Sequence, residues 1–172
     1  MKRNNVILVG YMGSGKTTLG KKLAKALEFE FIDTDKKIEE AFNISVNEIF
    51  KTIGEDKFRE LETLFITTFK GERAVIATGG GLPCFNENMN SLKDLGLILY
   101  LNRPAKELAH RLSQSKTKRP LLANKSDNEL LLFIKNQLNE REEYYNQADF
   151  ILDRDKQTVN YLLQHVKKHL KQ

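Results

Sequence analysis

Gly10-Tyr11-Met12-Gly13-Ser14-Gly15-Lys16-Thr17 matches G-x-x-x-x-G-K-[ST], the pattern of a loop that cradles nucleotide phosphates. The chemistry follows from the residue types. Glycines let successive backbone N–H groups turn inward around phosphate oxygens, Lys16 brings a point charge to the β and γ phosphates, and the Thr17 hydroxyl can ligate Mg²⁺. Gly13, Ser14, Gly15, Lys16, Thr17 and the following Thr18 are therefore the expected contacts for a nucleoside triphosphate.

A nucleotide enzyme of this kind needs an acid at a neighbouring strand end to help hold the magnesium. The apolar runs ending at Ala77 and Leu101 lead into Thr78 and Asn102, not into a carboxylate. Phe29-Glu30-Phe31-Ile32 instead runs directly into a pair of acids, Asp33 and Asp35. In a parallel sheet all C-terminal strand ends share one edge, so this pair should arrive beside the phosphates. Asp33 is assigned to Mg²⁺ and Asp35 to the hydroxyl of a phosphoryl acceptor. The plainer role for Asp33 or Thr34 is to cap the next helix. Gly79-Gly80-Gly81 follows another apolar run, where glycine is costly unless the backbone bends sharply or something approaches closely. These three residues are expected to hold an anionic or polar substrate through backbone N–H groups, with a simple tight turn as the alternative.

The elements that must position these residues alternate. Short β-branched or aromatic runs at 6–9, 29–32, 74–77, 97–101 and 150–152 read as strands. Helical periodicity covers 15–27, 34–42, 46–53, 55–69, 86–95, 105–113, 127–146 and 158–171. Ser45 with Glu48 and Ser126 with Glu129 match capping boxes, and Thr158 can cap the last helix. Strands apolar on both faces imply a parallel sheet covered by helices on both sides, a three-layer α/β fold with five strands. Periodicity fails between Gln114 and Lys125, which reads as a loop rather than a linker.

Composition narrows the classes. The 172 residues suit one domain, and the single cysteine, Cys84, excludes an internal disulfide framework or a cysteine-rich zinc site, in keeping with a reducing cytoplasm. No apolar run approaches the roughly 20 residues of a membrane span, and no apolar run of a secretory leader follows Lys2 and Arg3, so neither secretion nor membrane insertion is expected. A net charge of +5 is spread among nearly as many acids, which favours small anionic substrates over nucleic acid.

Taken together, Gly10–Thr18 with Leu19-Gly20, Phe31-Ile32-Asp33-Thr34-Asp35 with Ile38, Ile49-Phe50 leading to Gly54-Glu55-Asp56-Lys57-Phe58-Arg59 and Glu62, and Thr78-Gly79-Gly80-Gly81 resemble the shikimate kinase family. Arg119-Pro120-Leu121-Leu122 and Arg141 with Tyr144 resemble two further motifs. The resemblance implies a P-loop kinase fold with strand order 2-3-1-4-5, substrate-binding helices over 34–70 and a lid over 113–125. It implies phosphoryl transfer from ATP to the 3-hydroxyl of shikimate on the route to chorismate, with Mg²⁺ required and a monomer as the expected state. It also implies roles for single residues: Asp35 on the acceptor hydroxyl, Arg59, Gly81 and Arg141 on shikimate, Arg111 near the adenine, and Arg119 reaching the transferring phosphates from the lid. Two guanidinium forks suit a carboxylate, and Glu62 is placed to orient Arg59. A gluconate or nucleoside monophosphate kinase shares the cradle and the fold but not the acceptor residues. A nucleotide-dependent nucleic-acid-binding module is the reading from another class.

Overall fold

The computed structural model describes residues 4–115 and 125–170. Its elements run β1 (Asn5–Val9), α1 (Lys16–Leu27), β2 (Glu30–Asp33), α2 (Thr34–Phe42), α3 (Val46–Thr68), β3 (Ala74–Ala77), α4 (Asn88–Leu95), β4 (Gly96–Leu101), α5 (Ala105–Ser113), α6 (Asp127–Tyr145), β5 (Phe150–Leu152) and α7 (Val159–Leu170). The strands form one five-stranded sheet in the order β2-β3-β1-β4-β5, and every pairing is parallel. Both expectations for the sheet, its composition and its order, are met.

Side-chain alternation along the strands divides the core into two layers. Ile7, Val9, Ile32, Ile76 and Ile98 face Ile66 of α3, Leu92 of α4 and Tyr145 of α6. Val6, Leu8, Val75 and Leu99 face Leu23 and Leu27 of α1 and Leu162 and Val166 of α7. The register sets Ile7 beside Ile76 and Ile98, so all strand ends emerge together and the loops that follow them meet along one edge. That edge carries the phosphate loop after β1, Asp33 at the end of β2 and the glycines after β3.

Helix starts follow the sequence signals. Ser45 and Ser126 each accept from the backbone three residues on, and Glu48 and Glu129 reach back to complete both capping boxes. Thr158 Oγ1 accepts from Tyr161 N at 3.3 Å. The two helices expected over 46–53 and 55–69 meet at Gly54, whose φ of 84° and ψ of 169° interrupt α3 in a backbone region only glycine adopts freely. Two details differ from expectation. Leu82–Cys84 form a 3₁₀ turn rather than a bare tight turn. Helix α4 starts at Asn88 because Asn86 and Glu87 take left-handed φ values of 49° and 53°.

Candidate active site

The phosphate loop bends where glycine permits it, with φ of 80° at Gly13 and 103° at Gly15, and α1 begins at the next residue. The N–H end of α1 thus faces the loop, as anion binding requires. Ser14 is buried, Thr18 is exposed in the first helical turn, and Leu112 of α5 packs against Gly13. Lys16 is also buried, and its Nζ donates to the Gly10 carbonyl at 2.6 Å and to the Tyr11 carbonyl at 2.9 Å. These contacts hold the ammonium group across its own loop.

Thr17 Oγ1 donates to Asp33 Oδ2 at 2.9 Å, which joins the loop to the end of β2. Asp33 also caps α2, through Oδ1 and Lys36 N at 3.4 Å, so the cap and the contact with the loop use its two different oxygens. A hydroxyl and a carboxylate side by side at the mouth of the loop fit Mg²⁺, a hard cation that takes one or two protein oxygens and fills its remaining positions with water and phosphate. Among the described residues no group of three or more His, Cys, Asp or Glu is placed to hold a metal ion by itself.

Beside the loop lies a cavity of about 280 Å³ whose lining includes Asp35, Arg59, Glu62, Gly79, Gly81 and Arg141. Asp35 reaches it from the first turn of α2, Arg59 and Glu62 from α3, and Arg141 from α6. The glycine turn is pinned at two points: Gly79 N donates to the buried Thr34 Oγ1 at 2.9 Å, and the Tyr145 hydroxyl donates to the Gly80 carbonyl at 2.6 Å. A Cβ on Gly79 would sit 2.5 Å from Asp35 Oδ1 and 2.7 Å from Glu62 Oε1, and one on Gly81 would sit 2.8 Å from both terminal nitrogens of Arg59. Close approach to these side chains, not a turn alone, is why glycine occupies both positions.

Arg59 is tied on two sides. Its Nη1 donates to Glu62 Oε2 at 2.7 Å and its Nη2 to Glu55 Oε1 at 2.8 Å. Burial opposes its charge, but the Glu62 and Glu55 carboxylates outweigh burial and raise its pKa, so it is a permanent cation. Glu62 is fully buried, and desolvation pushes its pKa up to about 7 despite the pull of Arg59. Its unfolded value is 4.5, so the folded chain holds the extra proton more tightly. The stabilisation from that proton is complete below pH 4.5 and is lost as pH rises through 7. Glu62→Gln cannot titrate. From pH 4.5 to pH 8 the wild type should therefore lose stability relative to this variant, by at most about 3 kcal/mol, in urea unfolding at the two values. A difference that does not change with pH would contradict the burial argument.

Tyr144, which with Arg141 carried the resemblance, is only half-buried; the adjacent Tyr145 is fully buried and donates to the Gly80 carbonyl, and the ring facing the Arg141 guanidinium is that of Tyr11, at 5.3 Å. The available signal for Tyr145 was spacing, because a residue four on from Arg141 shares its helix face. Thr34 and Phe85, the latter beneath Arg59, were not foreseen either. A larger hollow of about 900 Å³ lies at the opposite edge, lined by residues at or just before strand starts such as Asn5, Gly71, Gly96 and Asp149. Asn5 there is buried with its amide bonded to Gly71 O, Leu95 O and Ala74 N, so the hollow has structural anchors and none of the expected site residues.

The family model for shikimate kinase matches residues 12–171. The chain belongs to the shikimate kinase family. It is 46% identical over 152 residues to a shikimate kinase of Bacteroides fragilis, an alignment covering 88% of this chain and 85% of the relative. A solved shikimate kinase from Bacteroides thetaiotaomicron shares the fold with a TM-score of 0.84 and 40% identity, over 98% of both chains. The shikimate kinase of Acinetobacter baumannii, solved in complex with shikimate, gives 0.81 and 32% identity over 96% of this chain and 92% of that one. The chain is thus an enzyme of a kinase family.

Of the remaining residues to which the shikimate kinase resemblance gave roles, Arg111 extends from α5 toward the phosphate loop, its Nη2 3.8 Å from where a Gly15 Cβ would sit. Arg119 and most of the lid over 113–125 lie outside the described residues. Cys84 sits half-buried in the 3₁₀ turn, and burial pushes its thiol up to about 11, which keeps it protonated and unreactive. Among the described residues no helix is long and apolar enough to cross a membrane.

Proposed function

We propose that this member of the shikimate kinase family transfers the γ-phosphoryl group of ATP to the 3-hydroxyl of shikimate, giving shikimate 3-phosphate and ADP. The observation that carries this reading is the pairing, in one cavity beside the phosphate loop, of a carboxylate with two guanidinium groups: Asp35 with Arg59 and Arg141. Shikimate is a hydroxylated ring bearing one carboxylate, and the cavity offers a proton acceptor at one place and cationic forks at others. A neutral sugar needs no such forks.

In this reading the Gly13–Thr18 backbone and Lys16 hold the β and γ phosphates, while Arg111 lies near the adenine end. Thr17 and Asp33 hold Mg²⁺, which neutralises phosphate charge when bound. Arg59 and Arg141 grip the acceptor carboxylate and so turn the 3-hydroxyl toward Asp35. Asp35 orients that hydroxyl and accepts its proton as the oxygen attacks phosphorus. The Gly79–Gly81 turn packs against the substrate without side chains in the way. Arg119 is assigned to the transferring phosphates when the lid closes, which also excludes water as a competing acceptor.

An assay of ADP release across acceptors tests the proposal. Shikimate should support turnover, whereas gluconate and a nucleoside monophosphate should not. Turnover with either of the latter in place of shikimate would overturn the substrate assignment.

A further inference from the structure

Phe85 is an exposed large aromatic, with 38% of its surface accessible, in a position where core packing does not account for it. Its ring lies under the guanidinium of Arg59, with Cζ 4.4 Å from the ring centroid. Phe58 and Phe50 stand farther off, at 5.6 and 5.9 Å, and belong to the apolar cluster that anchors α3 to α2. Phe85 does not line the acceptor cavity, so any effect it has on substrate passes through Arg59.

The local chain holds this stack in place. Phe85 follows the 3₁₀ turn that begins just after Gly81, and Asn88 N donates to its carbonyl at 2.9 Å. The next residue, Asn86, donates from Nδ2 to Thr63 Oγ1 at 3.1 Å, and Thr63 Oγ1 in turn donates to the Arg59 carbonyl at 2.9 Å. The segment carrying the ring is therefore tied to the helical turn carrying the guanidinium. One N–H on each terminal nitrogen of Arg59 is committed to Glu62 or Glu55. The others remain for an anionic substrate. Edge bonds fix where the fork points, but a planar cation can still tilt about them, and a ring against its face removes that freedom.

We propose that Phe85 is a positioning residue for the acceptor carboxylate: its ring, stacked on Arg59, sets the plane in which Arg59 presents its N–H groups to the cavity. The inference rests on the reading of Arg59 as a carboxylate grip. It assigns substrate affinity to a side chain outside the cavity.

The test is steady-state kinetics of wild type, Phe85→Leu and Phe85→Tyr, varying shikimate and ATP separately, with thermal unfolding of each protein. Leucine keeps apolar bulk but loses the π face, and tyrosine keeps the face. Phe85→Leu should raise the KM for shikimate roughly three- to tenfold, with kcat and the KM for ATP within about twofold of wild type. Phe85→Tyr should restore the wild-type KM. An unchanged shikimate KM in Phe85→Leu, a tyrosine variant no better than leucine, or equal rises in both KM values would each overturn the proposal. If the wild type itself fails to turn over shikimate, the functional reading falls and takes this inference with it. A wild type that turns over shikimate, with a flat leucine variant, sinks this inference alone.

Discussion

Asp35→Asn should lower kcat by about three orders of magnitude while leaving ATP affinity within about threefold of wild type. The substitution preserves size and hydrogen bonding but removes the ability to accept a proton. Its selectivity comes from the division of labour on the β2–α2 turn. Asp33 points to Thr17 at 2.9 Å and so belongs to the nucleotide side, whereas Asp35, two residues on, lines the acceptor cavity beside Gly79. Removing Asp35 should therefore spare the ground-state complex with ATP and damage the step in which the hydroxyl attacks. Turnover kinetics with a separate titration of ATP binding check this. An equal loss in both would move Asp35 to the metal.

Gly79→Ala should reduce kcat/KM for shikimate by about a hundredfold, the scale expected when a reacting group is displaced by about an ångström. The added methyl would lie 2.5 Å from Asp35 Oδ1 and 2.7 Å from Glu62 Oε1, so both carboxylates must shift. Gly79 does not have a left-handed backbone, so alanine brings no conformational strain of its own. The effect is steric and aimed at the acceptor cavity. Thermal unfolding should show destabilisation on the order of 1–3 kcal/mol from overpacking, too little to account for the kinetic loss. ATP binding, across the loop from this turn, should change little. A Gly79→Ala enzyme with near-normal kcat/KM would mean that Asp35 does not act from where the structure holds it.

Much of this site was legible in the sequence because its parts follow strand ends. A phosphate loop must leave a strand and open a helix, and Asp33 and Asp35 stand out as two acids close together after an apolar run. Two-sided apolar strands announced the covered parallel sheet, and the serine-glutamate pairs announced two helix starts. Strand order was not readable from periodicity, which reports faces and not neighbours. It came with the family resemblance. Tyr145 was missed beside Tyr144 because adjacent tyrosines in a helix differ only in the direction they face, and that is decided by packing against Tyr100, 4.9 Å between ring centroids. Glu62 was visible as the i,i+3 neighbour of Arg59, but its complete burial, and hence its raised pKa, depends on α3 packing against the rest of the fold. Phe85 carried no signal in the sequence, since its partner lies 26 residues earlier and only the folded chain brings them together.

The most direct measurement extends the acceptor assay to the methyl ester of shikimate, which keeps the ring and every hydroxyl but removes the negative charge. If Arg59 and Arg141 hold the acceptor by its carboxylate, the ester should lose about a hundredfold or more in kcat/KM, the scale of a lost charge-assisted pair, while shikimate turns over normally. Equal turnover of acid and ester would contradict the account, because the two guanidinium groups would then have nothing to grip.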